Sequence, residues 1–300
     1  MKFLVQNYAT NDFTEPLYIS ESINRTTNSE STIWSGEISA FDIFDIAKPD
    51  LFITHFSVLS NDTVKYLSGN KNISLVLNIT GANQEHINML EGLISSKDIN
   101  CPLIFSNQPE SLVSLPKGKL KLVSVMHGAD MFLSNQNAQK LEYSIGTAIL
   151  TDHKPEGGAG FDTYHLLSHD QNLADSVDLV APSMHMFSLY ENYDRVIIAS
   201  KNRCVSQSVF DAIIYGNEAY YYCANPDHEK EMSEIVSNLV TPNLIWRGDP
   251  ASDKDIADIK NTVMKKHTCF NRVKDLLNKL GITELEQEID SLAKESINNE

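Results

Sequence analysis

Residues Arg195–Cys223 read RVIIASKNRCVSQSVFDAIIYGNEAYYYC, and a change of period inside this stretch decides the fold. Arg195–Ser200 is an apolar run of the kind that forms a buried parallel strand. A polar turn follows at Lys201, Asn202 and Arg203. Val205, Val209, Ala212 and Ile213 then recur at helical spacing, Gly216-Asn217 closes the helix, and Ala219–Cys223 begins a second strand. The unit is β-α-β, with a basic, hydroxyl-rich turn at the helix N-terminus. Free backbone N–H groups, the positive end of the helix dipole and two cations meet there, with Ser206 and Ser208 close by. Those are the ingredients of a site for a diphosphate or another anion.

Outward from this unit the same alternation recurs. Phe3–Asn7, Ser31–Trp34, Leu51–Phe56, Ser74–Thr80, Pro102–Ser106 and Leu120–Met126 read as strands. Helical patterns opening at Glu15-Pro16 and spanning Phe41–Ala47, Asp62–Leu67 and Gln84–Ile94 lie between the earlier ones. Strands alternating with helices predict a parallel sheet covered on both faces. A second series offers strands at Tyr143–Leu150, Tyr164–Ser168, Val177–Ala181 and Leu244–Arg247 around the opening unit, and helices at Ser252–Lys266, Phe270–Leu280 and Thr283–Ser296. The reading is α/β with two domains, 1–130 and 131–300, the second closed by a helical tail.

Composition narrows the function classes. The 300 residues carry a formal net charge of −16, which disfavours broad binding to nucleic acid or an anionic membrane, since both rely on a positive field. No run approaches the ~20 apolar residues of a membrane span. Met1-Lys2 leads into a strand pattern without a secretory h-region, so a cytoplasmic protein is expected. The four cysteines show no CxxC spacing and read as reduced packing residues.

Polar residues stand just after the predicted strands: Tyr8, His55, Thr80-Gly81, Asn107 and His127-Gly128-Ala129-Asp130. In open parallel sheets ligands bind outside the carboxyl ends of strands, so these residues are expected to line one rim. His55 and His127 each end a strand, where a general base faces a cleft, although either fits a structural histidine equally. Gly157-Gly158-Ala159-Gly160 follows a strand with Lys154 beside it. It fits neither GxGxxG nor the P-loop pattern and reads as an anion contact or as a plain turn. His165 and His169, with Asp162 and Asp170 nearby, are spaced ~13 Å apart if extended, too far to share one ion. No metal is expected.

Together, the two α/β domains, the junction His127-Gly128-Ala129-Asp130-Met131-Phe132 and the segment Phe210-Asp211-Ala212-Ile213-Ile214-Tyr215-Gly216 resemble the GT-B glycosyltransferases. The junction is similar to that fold's N-G-V-D-x-x-x-F, and the second segment keeps the acid, Ala and Gly of its E-A-x-A-x-G. Within that fold the pattern is similar to that of CgeB-like enzymes and those of tailed phages. The resemblance implies two Rossmann-like domains facing a cleft and a metal-independent transfer of sugar from a nucleotide-diphosphate sugar, UDP-sugar first, with no separate cofactor. The acceptor is a glycan, a protein or a modified DNA base of a phage, in the host cytoplasm if phage-encoded. It implies donor binding by Lys201, Asn202, Arg203, Ser206, Ser208, Lys154 and Gly158, with Asp211 on the ribose. Arg203 stands where the retaining enzymes' first Glu of E-x7-E falls, which favours inversion. A base on the first domain's rim would be His55, Asp12 or Asp130. The alternatives are a related sugar-nucleotide epimerase or hydrolase, or a non-catalytic module binding nucleotide or a partner.

Overall fold

The computed structural model describes residues 1–8, 14–95, 99–107, 121–125, 128–134, 146–150, 167, 177–180, 186–199, 206–223 and 226–298. They fall into two compact units. The first holds the described residues up to 125 together with 269–298, and the second those from 128 to 268.

The first unit carries a wholly parallel sheet of β1 (Lys2–Gln6), β2 (Glu30–Trp34), β3 (Leu51–His55), β4 (Ser74–Asn78), β5 (Leu103–Ser106) and β6 (Lys121–Ser124), in the order β2-β1-β3-β4-β5-β6. Helices α1 (Glu15–Asn24), α2 (Ala40–Ala47), α3 (Asn61–Gly69) and α4 (Gln84–Ser95) alternate with the strands. Alternate side chains leave a strand on opposite faces. Leu4, Phe52, Leu75, Leu77 and Ile104 share a core with Ile43 and Phe44 of α2, Leu67 of α3, and Ile87 and Leu90 of α4. Residues of the other parity, among them Val5, Ile53, Val76 and Phe105, are equally buried. This burial on both faces explains why these strands read as continuous apolar runs.

The second unit contains α5 (Met131–Ser134), β7 (Thr147–Leu150), β8 (Val177–Val180), α6 (Met186–Asn192), β9 (Arg195–Ala199), α7 (Gln207–Ile214), β10 (Glu218–Tyr222), α8 (Pro226–Leu239) and α9 (Asp253–Lys266). Its four strands are also parallel, ordered β10-β9-β7-β8. The β9-α7-β10 unit is the one expected from Arg195–Cys223. Gly216, at φ +92°, ends α7 in the left-handed conformation that glycine adopts without strain.

Three expectations are corrected. Leu244–Arg247 is not a strand: Pro242–Leu244 is a 3₁₀ turn, Ile245 makes one isolated bridge to Tyr221, and Gly248 at φ +97° turns the chain away. Within Tyr164–Ser168 the one described residue, Leu167, is helical. The C-terminal helices α10 (Cys269–Leu280) and α11 (Thr283–Asn298), expected to close the second domain, belong to the first unit. There α10 buries Phe270, Val273, Leu276 and Leu277 and packs on α1. Glu288 of α11 accepts hydrogen bonds from the Thr27 backbone N–H at 2.7 Å and hydroxyl at 2.9 Å. An amphipathic stripe shows that a helix must be covered, but not by which sheet.

Candidate functional site

Among the described strands, each sheet has one topological switch point, where ligands of open parallel sheets bind. In the first unit the chain goes from β1 outward to β2 and then returns to β3 on β1's other side, so the switch lies between β1 and β3. In the second it goes from β7 to β8 and returns to β9, placing the switch between β7 and β9.

At the first switch point the expected residues Tyr8, His55, Thr80 and Asn107 are brought together, joined by Glu15 and Asn78, which the rim reading missed. His55 ends β3 directly opposite Asn78 of β4 in the strand register. The Tyr8 ring stacks on the His55 imidazole with centroids 5.4 Å apart. Nε2 of His55 lies 2.9 Å from the Thr80 carbonyl, which only accepts. Nδ1 receives the Ser57 backbone N–H at 3.2 Å, which only donates, and lies 2.6 Å from the Ser57 hydroxyl. These partners set the tautomer: the proton is on Nε2 and the lone pair on Nδ1. Burial lowers the His55 pKa below its usual 6.5, against the opposing pull of the Thr80 carbonyl, so the ring is neutral at pH 7.

Beneath this rim, Glu15 in the first turn of α1 is 1% exposed. One carboxyl oxygen, Oε2, accepts from the Tyr8 hydroxyl at 2.8 Å and the Asn78 amide at 2.7 Å; Oε1 lies 3.5 Å from the Asn107 amide nitrogen. Asn78 Oδ1 in turn accepts from the backbone N–H and the hydroxyl of Thr80, at 2.8 and 2.7 Å. The Thr80 hydroxyl oxygen accepts from the Asn107 N–H at 2.9 Å. Asn107 Oδ1 is buried with no hydrogen-bond partner among the described residues. Desolvation raises the Glu15 pKa from 4.5 to about 7, against the hydrogen bonds that favour its anion. The signals that could have found these two residues were slight: an acid directly before Pro16, and an amide closing the apolar run SLVLN.

In the second unit, the chain leaves β7 at Leu150 and β9 at Ala199, neighbouring strands on either side of the switch. The expected anion ligands Lys154, Gly158, Lys201, Asn202 and Arg203 lie outside the described residues, as do Asp12, His127 and the His165/His169 pair. Ser206 is the N-cap of α7: its Oγ accepts the Ser208 N–H at 3.1 Å, and its own N–H donates to the Tyr221 hydroxyl at 2.7 Å. Ser208 is buried, and its carbonyl accepts from the Tyr190 hydroxyl at 3.3 Å.

Asp211 is also buried, and both its oxygens are engaged. Oδ1 accepts the Asp130 backbone N–H at 2.7 Å, and Oδ2 the Gln207 amide at 3.2 Å. Desolvation and the Asp130 carboxylate push the Asp211 pKa well above the usual carboxylate range. Asp130 is 3% exposed, and its Oδ1 accepts the Phe132 N–H at 3.0 Å, which starts α5. The neighbouring Ala129 N–H donates to the His267 carbonyl at 2.7 Å, and the His267 ring stacks on Phe210. Asp130 was expected as a base on the first domain's rim and Asp211 as a ligand contact; Asp130 instead belongs to the second unit, where the two acids fasten residues 129–132 to α7. Asp211→Ala would strand the Asp130 N–H and the Gln207 amide, at a cost of about 2 kcal/mol or more to this unit. Asp211→Asn keeps an acceptor for Asp130 and should cost clearly less. Urea unfolding followed by Trp246 fluorescence in a Trp34→Phe background measures both; an alanine variant as stable as the parent would contradict this role.

Among the described residues, no three His, Cys, Asp or Glu side chains converge as metal ligands, and no helix is long and apolar enough to cross a membrane. The chain is thus a pair of Rossmann-like α/β units, each with a switch point. The sequence matches no protein-family model and no curated protein. Among solved structures it is similar to UDP-GlcNAc 2-epimerase from Methanocaldococcus jannaschii, with 12% identity, 94% of this chain and 100% of that one covered, and a TM-score of 0.49. It is also similar to a glycosyltransferase from Rickettsia africae (8%, 99% and 93%, TM-score 0.47). A third is sucrose-phosphate synthase from Thermosynechococcus elongatus (9%, 99% and 94%, TM-score 0.48). With TM-scores below 0.5 these likenesses assign nothing to this chain's residues.

Proposed function

We propose that this protein transfers a sugar from a nucleotide-diphosphate sugar, a UDP-sugar first, to a hydroxyl acceptor, as a GT-B-type glycosyltransferase. The observation that carries the reading is the first unit's switch point, where a neutral histidine with an accepting Nδ1 stands over an ordered polar network. A neutral imidazole at the carboxyl edge of a parallel sheet is equipped to take the proton of an acceptor hydroxyl. The donor half rests on the basic turn Lys201–Arg203 between β9 and α7. Its cations and the Ser206-capped helix start would stabilise the departing nucleotide diphosphate. Lys154 and Gly158, which follow β7, are assigned to the same donor. The ribose role that the resemblance gives Asp211 requires that its carboxyl exchange Gln207 for the ribose hydroxyls.

Mass-spectrometric product analysis, with UDP- and GDP-sugars and a panel of hydroxyl acceptors, tests the reading. A glycosylated acceptor supports it. Free sugar would make the protein a hydrolase, and an altered free nucleotide sugar an epimerase. Failure to bind any nucleotide sugar would overturn it. Arg203→Ala should weaken donor binding about tenfold, the worth of one charge-assisted hydrogen bond. Unchanged calorimetric affinity would remove this turn from the donor site.

A further inference from the structure

We propose that Glu15 is a positioning residue for the His55 imidazole: from inside the first unit it sets which ring nitrogen carries the proton. The path is continuous. The Glu15 carboxyl accepts the Asn78 amide at 2.7 Å, which leaves Asn78 Oδ1 aimed at Thr80. Two bonds from Thr80 to that oxygen, from its N–H and its hydroxyl, hold the residue so that its carbonyl meets His55 Nε2 at 2.9 Å. An amide has a donating and an accepting end, so Glu15 decides its orientation by accepting from one end. Were Asn78 reversed, its NH₂ would face the Thr80 N–H, two donors in opposition, and the carbonyl that fixes the His55 tautomer would lose its support.

A second arm reaches the same ring. The Tyr8 hydroxyl donates to the same carboxyl oxygen at 2.8 Å, and the Tyr8 ring lies on the imidazole. One buried carboxyl thus fixes the ring's plane through Tyr8 and its protonation pattern through Asn78 and Thr80. The consequence is a specific accepting atom. Nδ1 is left with the lone pair, which faces the exposed Ser57 hydroxyl at 2.6 Å and the Ser57 backbone N–H at 3.2 Å. The value of this arrangement to catalysis rests on the function proposed above, but the tautomer itself does not.

Long-range ¹H–¹⁵N NMR of the neutral His55 ring tests the assignment without any substrate. The parent protein should show the Nε2–H tautomer, and Glu15→Gln, whose amide oxygen can still accept from Asn78, should retain it. Glu15→Ala should move the ratio toward Nδ1–H at least about fivefold, as expected for the loss of one orienting hydrogen bond. Asn78→Ala, which cuts the same path with a smaller loss of packing, should do likewise and decides the matter if Glu15→Ala does not fold. An Nδ1–H tautomer in the parent, or an unchanged ratio in the folded alanine variants, would overturn the proposal. A transfer assay that finds no product while these ratios move as stated would reject the function and leave the positioning intact.

Discussion

His55→Ala is expected to slow sugar transfer by about a hundredfold or more, the usual worth of a positioned general base, while leaving donor affinity within about twofold. His55 ends β3 beside the β1/β3 switch, its Nε2–H is committed to the Thr80 carbonyl, and its Nδ1 faces a hydroxyl. Electrostatics then sets the pH profile. Burial lowers the His55 pKa below 6.5, so the accepting form dominates above that value. Turnover should therefore hold through neutral pH and fall as pH drops through the depressed pKa, and the alanine variant should lose that limb. Steady-state kinetics across pH measures both. Unchanged turnover in a folded His55→Ala protein would move the base elsewhere, to Asp12 first.

Glu15→Gln is expected to abolish a pH dependence of stability amounting to about 3 kcal/mol. The carboxyl titrates near 7 in the fold and at 4.5 as a free side chain. The folded state therefore holds the proton more tightly, and this contribution to stability is fully present below about pH 4.5 and lost as pH rises through 7. Each tenfold gain in proton affinity is worth about 1.36 kcal/mol, which gives the total. Glutamine resembles the protonated acid in charge and shape, so the variant should be the more stable protein at pH 8 and lack the decline between pH 5 and 7. Trp34, in the first unit, reports the transition if Trp246 is replaced by Phe. The same slope in parent and variant would show that Glu15 is not the group responsible.

The fold was largely legible in the sequence, because parallel strands buried on both faces read as apolar runs and the intervening helices as 3.6-residue periods. Most of the first rim was legible for a related reason: Tyr8, His55, Thr80 and Asn107 each interrupt or end such a run. Glu15 was not, because an acid beside a proline is an ordinary helix start, and nothing local says that its carboxyl points inward to Asn78, 63 positions away. Asp211 was legible as a special residue through its place in the Phe210–Gly216 pattern. Its hydrogen bond to Asp130 spans 81 positions and leaves no trace in either neighbourhood.

What Arg195–Cys223 determined by itself is the β-α-β unit and its glycine stop, both consequences of side-chain period and local backbone preference. What only the tertiary structure decided is which distant parts of the chain meet: which unit the C-terminal helices join, which carboxyls are desolvated, and which nitrogen of His55 keeps its lone pair. Apolar burial is non-directional and can be read from a pattern, whereas a hydrogen bond needs a particular partner at about 3 Å, and the folded chain alone brings that partner there.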